Sequence, residues 1–254
     1  MPTTPLDYEF SACTDVGRVR RNNEDAIAVH EDVCLAIVAD GMGGSNAGEV
    51  ASAMAVDIVG RELRRWLLEA GERAHANAIR AALVDAVDQA NQAILDAGRT
   101  HAAYAGMGTT LVVGVFWRAQ FILGHVGDSR GYLLRSGVLR QITRDHTWLQ
   151  EQLDHGFISP REAADSGMRN LLTRALGVDP QVQVEINEFA VRPGDLYLLC
   201  TDGLTDRLDA TALAALLRTP ASLHDIAGRL IARANELGGR DNTSVLLAHA
   251  CPAE

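Results

Sequence analysis

The sequence predicts an α+β fold in which antiparallel β-sheets carry helices on their outer faces. Short apolar segments with the composition of strands occur along most of the chain. Two long amphipathic helix patterns separate the first of these segments from the second. Several later strand segments follow one another through short turns, which differs from the regular strand and helix alternation of a parallel doubly wound sheet.

The strand segments are of two kinds. Unbroken apolar runs, typical of strands covered on both faces, occur at 33–39 and 196–200. Further segments rich in β-branched and other apolar residues lie at 110–116, 121–126, 131–135 and 243–249. We expect these segments to form the central strands of the sheets.

The helix predictions rest on apolar periodicity and on end signals. The first helix is predicted at 47–70, with Asn46 as N-cap and Glu49 three residues later, which is the spacing of a capping box. The second is predicted at 74–101, where apolar residues recur at helical spacing. Shorter helices are predicted at 210–218 and 222–237.

Length and composition predict one domain spanning residues 1–254. The chain has 254 residues, of which 47% are hydrophobic and 22% charged, enough to build a sizeable core. The segment 148–168 is more polar and lacks a strand signal, so we expect it to be a surface insertion within that domain.

The net charge limits the classes of partner. With a formal net charge of −10 and no visible basic patch, the chain is expected to bind neither nucleic acid nor an anionic membrane. The basic residues are all Arg, with no Lys, and composition bias explains this better than a special role for Arg.

The termini and the cysteines predict a cytoplasmic protein with reduced thiols. The start of the chain lacks a charged segment followed by an apolar one, and no window resembles a membrane span. The four cysteines show no Cys-x-x-Cys spacing, and we expect them to be free and buried.

Four aspartates share one sequence context. Each is flanked by Gly or by a small residue and lies where a predicted strand begins or ends; they are Asp40, Asp128, Asp202 and Asp241. Each alone fits a turn, in which Asp binds backbone N–H groups. Together they fit a site for hard divalent cations, because oxygen ligands suit such ions and a cation offsets the repulsion between carboxylates.

The segment 17–25, GRVRRNNED, adds charges of both signs near the N-terminus. Arg can bind phosphate through two parallel hydrogen bonds, and Glu or Asp can join the outer shell of a metal ion through water. The alternative is a solvated loop with local ion pairs, which contribute little stability. Taken alone, this segment favours the solvated loop.

A series of segments along the chain resembles the PP2C-type, metal-dependent serine/threonine protein phosphatases, especially the compact bacterial ones. The resemblance spans about residues 8–249, and the order of the segments makes it specific. They are VRRNNEDA, VADGMGG, MGTTLVV, GHVGDSRGYLL, TRDHTW, RNLLTRALG, LLCTDGLTD and GGRDNTSVLL.

The resemblance implies a four-layer αββα sandwich, with two central antiparallel β-sheets flanked by α-helices. It also implies two Mn²⁺ or Mg²⁺ ions at one end of the sandwich. By position, Asp40 would bridge the two ions, and the backbone carbonyl of Gly41 would bind one of them. Asp202 and Asp241 would bind the other.

Further roles follow from the same resemblance. Glu24 matches a ligand that acts through water, and Asp25 matches its supporting neighbour. Asp128 matches a contact to a third, weaker ion that it shares with Asp202. Arg20 matches the arginine that binds the substrate phosphate.

The implied activity is hydrolysis of phosphoserine and phosphothreonine in proteins, by attack of a metal-bridging hydroxide on phosphorus. We expect a monomer that opposes a bacterial serine/threonine kinase. Alternatives are a phosphatase for a small dedicated regulator, or a pseudophosphatase that binds phosphoproteins without hydrolysing them; loss of a metal ligand would favour the latter, and none is lost.

One position departs from many eukaryotic relatives. A His that is thought to protonate the leaving group follows the Asp-Gly pair there, whereas this chain has Met42, which cannot donate a proton. We expect another acid, such as a metal-bound water, to serve. His125 lies in a predicted strand and is expected to pack in the interior, and His146 has no assigned place near the leaving group.

The 165–168 segment, DSGM, also differs from the His-Pro pair often found in the corresponding flap.

Overall fold

The structure is a computed structural model that describes residues 6–43, 47–159, 162–163, 168 and 171–253. Two antiparallel β-sheets form its centre. The strands are β1 Leu6–Asp15, β2 Asp25–His30, β3 Leu35–Met42, β4 Gly108–Thr109, β5 Leu111–Trp117, β6 Gln120–Val126, β7 Arg130–Arg135, β8 Val138–Gln141, β9 Glu185–Ala190, β10 Leu196–Cys200 and β11 Thr243–Pro252.

The first sheet has the strand order β1-β11-β10-β7-β8, and the second has the order β2-β3-β5-β6-β9, with the short β4 paired to β3. The helices are α1 Gly48–Ala70, α2 Ala76–Thr100, α3 Trp148–Asp154, α4 Asp202–Thr205, α5 Ala210–Leu217 and α6 Leu223–Glu236.

Three apolar clusters separate four layers. One lies between the sheets, where Phe116, Phe121 and Tyr197 pack ring against ring. Another joins α1 and α2 to the outer face of the second sheet, and a third joins α5 and α6 to the outer face of the first sheet. The predicted αββα sandwich of the α+β class is therefore confirmed.

The alternation of side chains along β3 explains its unbroken apolar sequence. Leu35 and Ile37 face the helices, whereas Ala36 and Val38 face the other sheet. Successive side chains of a strand point to opposite faces, so a strand in an inner layer is apolar at every position.

Apart from the two-residue β4, the strands that the sequence did not reveal lie at the sheet edges. β1 and β8 border the first sheet, and β2 and β9 border the second. Their residues are mostly half-buried or exposed; β1, β8 and β9 lack the apolar runs that mark the central strands, and β2 has only the short run at 26–29. The long helices were predicted to within about two residues at either end.

The start of α1 differs from the predicted capping box. Asn46 lies outside the described residues, and the helix begins at Gly48, with Ala47 in the N-cap position and no side-chain cap hydrogen bond. The Glu49 carboxylate accepts a hydrogen bond from the Asn22 side-chain amide. Glu49 therefore connects α1 to the loop before β2.

The predicted insertion at 148–168 contains α3, a helix capped by the Thr147 hydroxyl, which accepts from the Gln150 N–H. The residues 165–167 of the DSGM segment lie outside the described part of the chain. Among the described residues, no helix combines the length and apolarity needed to span a membrane.

The four cysteines, all within the described residues, are free, as predicted. Their predicted burial is correct only for Cys200; Cys13, Cys34 and Cys251 are partly exposed.

Two leucines of α1 test how far the packing of helix on sheet supports the fold. Leu63 is fully buried and Leu68 is 53% exposed. We expect Leu63→Ala to lower the free energy of unfolding by about 2–5 kcal/mol, because it leaves a cavity. The matched Leu68→Ala should change it by less than about 0.5 kcal/mol. Urea denaturation followed by circular dichroism measures both, and equal effects would contradict this packing.

Candidate metal centre

Carboxylates from both sheets meet at one end of the sandwich. Asp40 lies within β3, two residues before its end, and Asp128 lies in the turn between β6 and β7. Asp202 begins α4 directly after β10, and Asp241 precedes β11. They line one cavity of about 220 Å³, whose wall consists of Arg20, Glu24, Asp40, Gly41, Met42, Gly43, Thr110, Asp128, Leu172, Asp202, Asp241 and Asn242.

Asp25 and Asp40 stand directly opposite each other in the β2–β3 ladder. Asp25 also joins the two sheets, because its Oδ2 accepts hydrogen bonds from Thr201 Oγ1 at 2.9 Å and from Ser244 Oγ at 2.7 Å. Its Oδ1 is buried and has no hydrogen-bond partner among the described residues. The pair therefore places two carboxylates side by side at the junction of the sheets.

Asn242 fixes the loop that carries Glu24. The Asn242 Oδ1 accepts a hydrogen bond from the Glu24 N–H at 2.8 Å. Its Nδ2 donates to the carbonyl oxygens of Val16 and Asn22, at 2.9 Å each. One buried amide thus connects the start of β11 to the loop between β1 and β2.

Thr110 fixes the backbone of Asp40. The Asp40 N–H donates to Thr110 Oγ1 at 2.9 Å, and the Thr110 N–H donates to the Asp40 carbonyl at 2.9 Å. Thr110 Oγ1 is also 2.7 Å from Ser129 Oγ, beside Asp128. A short hydrogen-bonded path therefore links the Asp40 and Asp128 segments.

Burial dominates the electrostatics of this cluster. It raises the pKa of Asp40 well above its ordinary value, and the charges of Asp25, Asp202 and Asp128 raise it further. Burial also raises the pKa of Asp25 to about 7 and that of Asp128 to about 7. The pKa of Asp202 is raised to about 6, although a hydrogen bond to Asp40 opposes the shift.

The donor set fits hard divalent cations. Buried carboxylates repel one another, and a cation relieves both the repulsion and the loss of hydration. The orphaned Oδ1 of Asp25 shows that the protein alone leaves this cluster incompletely satisfied. The carboxylates that line the cavity offer oxygen atoms, which Mn²⁺ and Mg²⁺ prefer as ligands.

Gly41 is required by packing. A Cβ atom there would lie 2.1 Å from the carbonyl oxygen of Gly48 and 2.6 Å from that of Glu24. The Gly41 N–H also donates to the Glu24 carbonyl at 3.0 Å. The glycine therefore allows β3, the start of α1 and the Glu24 loop to approach one another closely.

Arg20 places a positive charge at the wall of the cavity. Its Nη2 donates to Asp241 Oδ2 at 2.8 Å, and its side chain remains 50% exposed. Such an exposed ion pair adds little stability, so the guanidinium is held near the cavity without being fixed to Asp241. Arg20 can therefore turn toward an anion in the cavity.

The histidines considered from the sequence pack away from this cavity. His125 is fully buried, and its Nε2 lies 2.8 Å from the Arg144 carbonyl. His146 stacks on it with ring centroids 4.7 Å apart, and its Nδ1 accepts from the Gly127 N–H. Met42 does line the cavity, so the described part of its wall has a thioether at the position that follows the Asp-Gly pair.

The sequence-predicted residues Arg20, Glu24, Asp40, Gly41, Asp128, Asp202 and Asp241 all line the cavity. Sequence reasoning missed the contributions of Thr110 and Asn242, although Asn242 follows Asp241 directly. Asp128 and Asp202 also line a second polar cavity of about 260 Å³ that extends toward α3. The pair shared by the two cavities is the one matched to a third ion.

Comparison with known proteins places the chain among phosphatases. Residues 17–234 match the family model described as protein phosphatase 2C. The serine/threonine phosphatase stp of Listeria monocytogenes serotype 4b is 40% identical over 239 residues, which cover 92% of each chain. Serine/threonine protein phosphatase PstP of Mycobacterium tuberculosis is 38% identical over 248 residues, covering 98% of this chain and 46% of PstP.

Solved structures show the same fold. The catalytic domain of PstP in complex with two manganese ions superimposes with a TM-score of 0.84 at 37% identity, covering 97% of this chain and 99% of that one. That enzyme therefore holds two manganese ions on the same fold.

The raised carboxyl pKa values predict how pH affects the stability of the cation-free protein. The folded pKa of Asp25, about 7, lies above its ordinary value of 3.8. The folded state then binds more protons than the unfolded state between these values, so the free energy of unfolding should fall as pH rises from about 4 to about 7. Added Mn²⁺ should reverse the loss, because it binds the ionised carboxylates of the folded state.

Urea denaturation in EDTA at about pH 5 and about pH 7.5, with and without Mn²⁺, measures this effect. Asp25→Asn should weaken the pH dependence, whereas Asp57→Asn, an exposed residue of α1, should leave it unchanged. A cation-free protein that becomes more stable on going from pH 5 to pH 7.5 would contradict the electrostatics described above.

Proposed function

The chain belongs to the protein phosphatase 2C family, and on this premise we propose how its residues perform the reaction of the family. The protein is a metal-dependent serine/threonine phosphatase that acts on phosphoproteins. The main support for the residue roles proposed below is that the carboxylates of both sheets and the guanidinium of Arg20 line the same cavity.

The proposed ligands are oxygen atoms held by rigid elements. In this assignment Asp40 would bind both Mn²⁺ or Mg²⁺ ions, the Gly41 carbonyl would bind one of them, and Asp202 and Asp241 would bind the other. Glu24 would act through water, with Asp25 supporting it from β2. Asp25 and Asp40 belong to paired strands, and the Glu24 carbonyl accepts a hydrogen bond from Gly41 of β3, which limits how far these groups move. Asp128 and Asp202, which line both cavities, would hold a separate, weaker ion.

When bound, the two ions supply Lewis acidity, which activates water for in-line attack on phosphorus and offsets the charge of the phosphate. The protein holds the ligand oxygen atoms in place and binds the phosphoryl group. Arg20 donates to the phosphate oxygens and thereby aligns the phosphorus. Asp241 orients the guanidinium for that contact.

Protonation of the leaving alkoxide is assigned to water. Met42 cannot donate a proton, and none of the described side chains that line the cavity is a histidine. The cavity is polar and opens to solvent at Arg20, which is 50% exposed, so water can reach the leaving oxygen.

The cellular setting completes the proposal. A phosphoprotein phosphatase requires a kinase that makes its substrate, so we place the protein opposite a bacterial serine/threonine kinase and the substrates of that kinase. We place it in the cytoplasm as a monomer, with no nucleic acid or membrane as partner. The charge of −10 supports the exclusion of nucleic acid and of an anionic membrane as partners.

Metal dependence is tested by hydrolysis of a phosphothreonine peptide. We expect full loss of activity in EDTA, recovery with Mn²⁺, and a fall of kcat/KM by at least about 100-fold in Asp202→Ala. The control Asp57→Ala changes an exposed carboxylate on α1 and should keep full activity. Activity that survives chelation would contradict the metal-dependent mechanism.

The role of Arg20 is tested by Arg20→Ala, with the neighbouring and exposed Arg21→Ala as its matched control. Loss of the guanidinium should raise KM for a phosphopeptide and also lower kcat, each by about 10-fold or more, because the contact both binds and aligns the phosphoryl group. Arg21→Ala should keep both constants within about twofold. Equal kinetics for the two variants would remove Arg20 from the phosphate site.

A further inference from the structure

A second group of potential metal ligands lies on the first sheet. Glu9 and His249 are directly paired in the β1–β11 ladder, and Cys251 follows His249 by two residues, on the same face of β11. One ligand atom from each side chain lies within 4.8 Å of the other two, and Cys251 Sγ is 3.3 Å from His249 Nδ1. A thiol, an imidazole and a carboxylate therefore converge on one point.

The charges around this group favour a cation. In the part of the chain that the structure describes, the Glu9 carboxylate has no ion pair and accepts no hydrogen bond from a side chain. Asp7, the residue paired with Cys251 in the ladder, adds a second negative charge. The group thus combines acidic side chains with a thiol and an imidazole, and among the described residues no Arg forms an ion pair with it.

We propose that Glu9, His249 and Cys251 form a zinc site that is separate from the centre of the phosphatase reaction. Zn²⁺ binds thiolate, imidazole and carboxylate together, whereas Mn²⁺ and Mg²⁺ prefer sites made only of oxygen. The three side chains fill three positions of a tetrahedral ion and leave the fourth to water.

The position in the fold separates the two kinds of site. His249 follows Thr243, the first residue of β11 and the second after Asp241, by six residues along the strand, a distance of about 20 Å. β11 is paired on both sides, while β1 is an edge strand paired only to β11. Bound zinc would therefore fasten an edge strand to a central one and stabilise the first sheet.

Binding would displace a proton from the thiol. Burial, with the charges of Glu9 and Asp7, raises the pKa of Cys251, so near neutral pH its sulfur carries a proton before zinc arrives. One thiol proton leaves as the Zn–S bond forms, and the affinity for zinc should increase with pH.

The other cluster of possible ligands among the described residues does not support a metal site. His125, His146 and Glu185 lie close together, but the two imidazole rings are stacked within 7° of parallel. Nitrogen lone pairs lie in the plane of their rings, so stacked rings cannot both aim at one ion. Arg174 Nη1 also lies 3.4 Å from His146 Nε2, which opposes a cation there.

The test uses Co²⁺ as a spectroscopic substitute for Zn²⁺ in the full chain, with Mn²⁺ in excess to fill the oxygen-only centre. A thiolate bound to Co²⁺ gives a charge-transfer absorption in the near ultraviolet, and no proposed ligand of the phosphatase centre is a thiol. We expect the wild type to show this band with one Co²⁺ per chain and to lose it on addition of Zn²⁺.

The variants distinguish a site made by three ligands from a single thiol that binds metal by itself. Cys251→Ser should abolish the band, and His249→Ala and Glu9→Gln should each weaken Co²⁺ binding. Since removal of an outer partner alone costs about 10- to 100-fold in metal affinity, loss of a ligand should cost at least as much. The matched control Cys13→Ser removes another partly exposed thiol and should keep the band.

Two results would overturn the proposal. One is absence of the band in a wild-type protein that is folded by circular dichroism. The other is a band whose Co²⁺ affinity is unchanged in both His249→Ala and Glu9→Gln, which would indicate a lone thiol that binds metal without its neighbours.

Discussion

The repulsion between buried carboxylates at the junction of the two sheets is the constraint on which this end of the molecule depends. Asp25 and Asp40 face each other across one ladder, and like charges in that position destabilise a sheet. The protein supplies hydroxyl donors to one oxygen of Asp25 and leaves the other without a partner. Such a cluster is stable as an ionised group only when cations bind to it. The binding of metal ions and the stability of this region are therefore two aspects of one electrostatic balance.

The rest of the fold holds these groups in place despite their repulsion. The inner strands are apolar on both faces, so packing fixes them and their ends cannot separate easily. Buried polar side chains then connect the ends of different elements: Asn242 holds the Glu24 loop, and Thr110 holds the backbone of Asp40. This is the arrangement that precise ligand geometry requires, since small displacements of ligands weaken a metal centre.

Two chemically distinct donor sets occur on the same strand, β11. The end near Asp241 meets oxygen ligands and the Arg20 guanidinium, as a phosphatase centre with hard ions requires. The far end carries the thiol and imidazole of the proposed zinc site. Because ligand softness differs between the two ends, different metals can occupy them without competing on equal terms.

The sequence by itself determined the central strands, the long helices and the aspartates that line the cavity. Unbroken apolar runs identify buried strands, and Asp residues at the ends of such runs indicate a purpose beyond a turn. The tertiary structure decided the features that depend on contacts between distant parts of the chain, which no local sequence pattern records. The edge strands β1, β8 and β9 lack an apolar run, because their half-exposed residues carry little hydrophobic signal. Gly41 proved necessary through its contact with Gly48, and the pairing of Asp25 with Asp40 depends on strand register. Such contacts join residues far apart in the chain, so only the folded molecule reveals them.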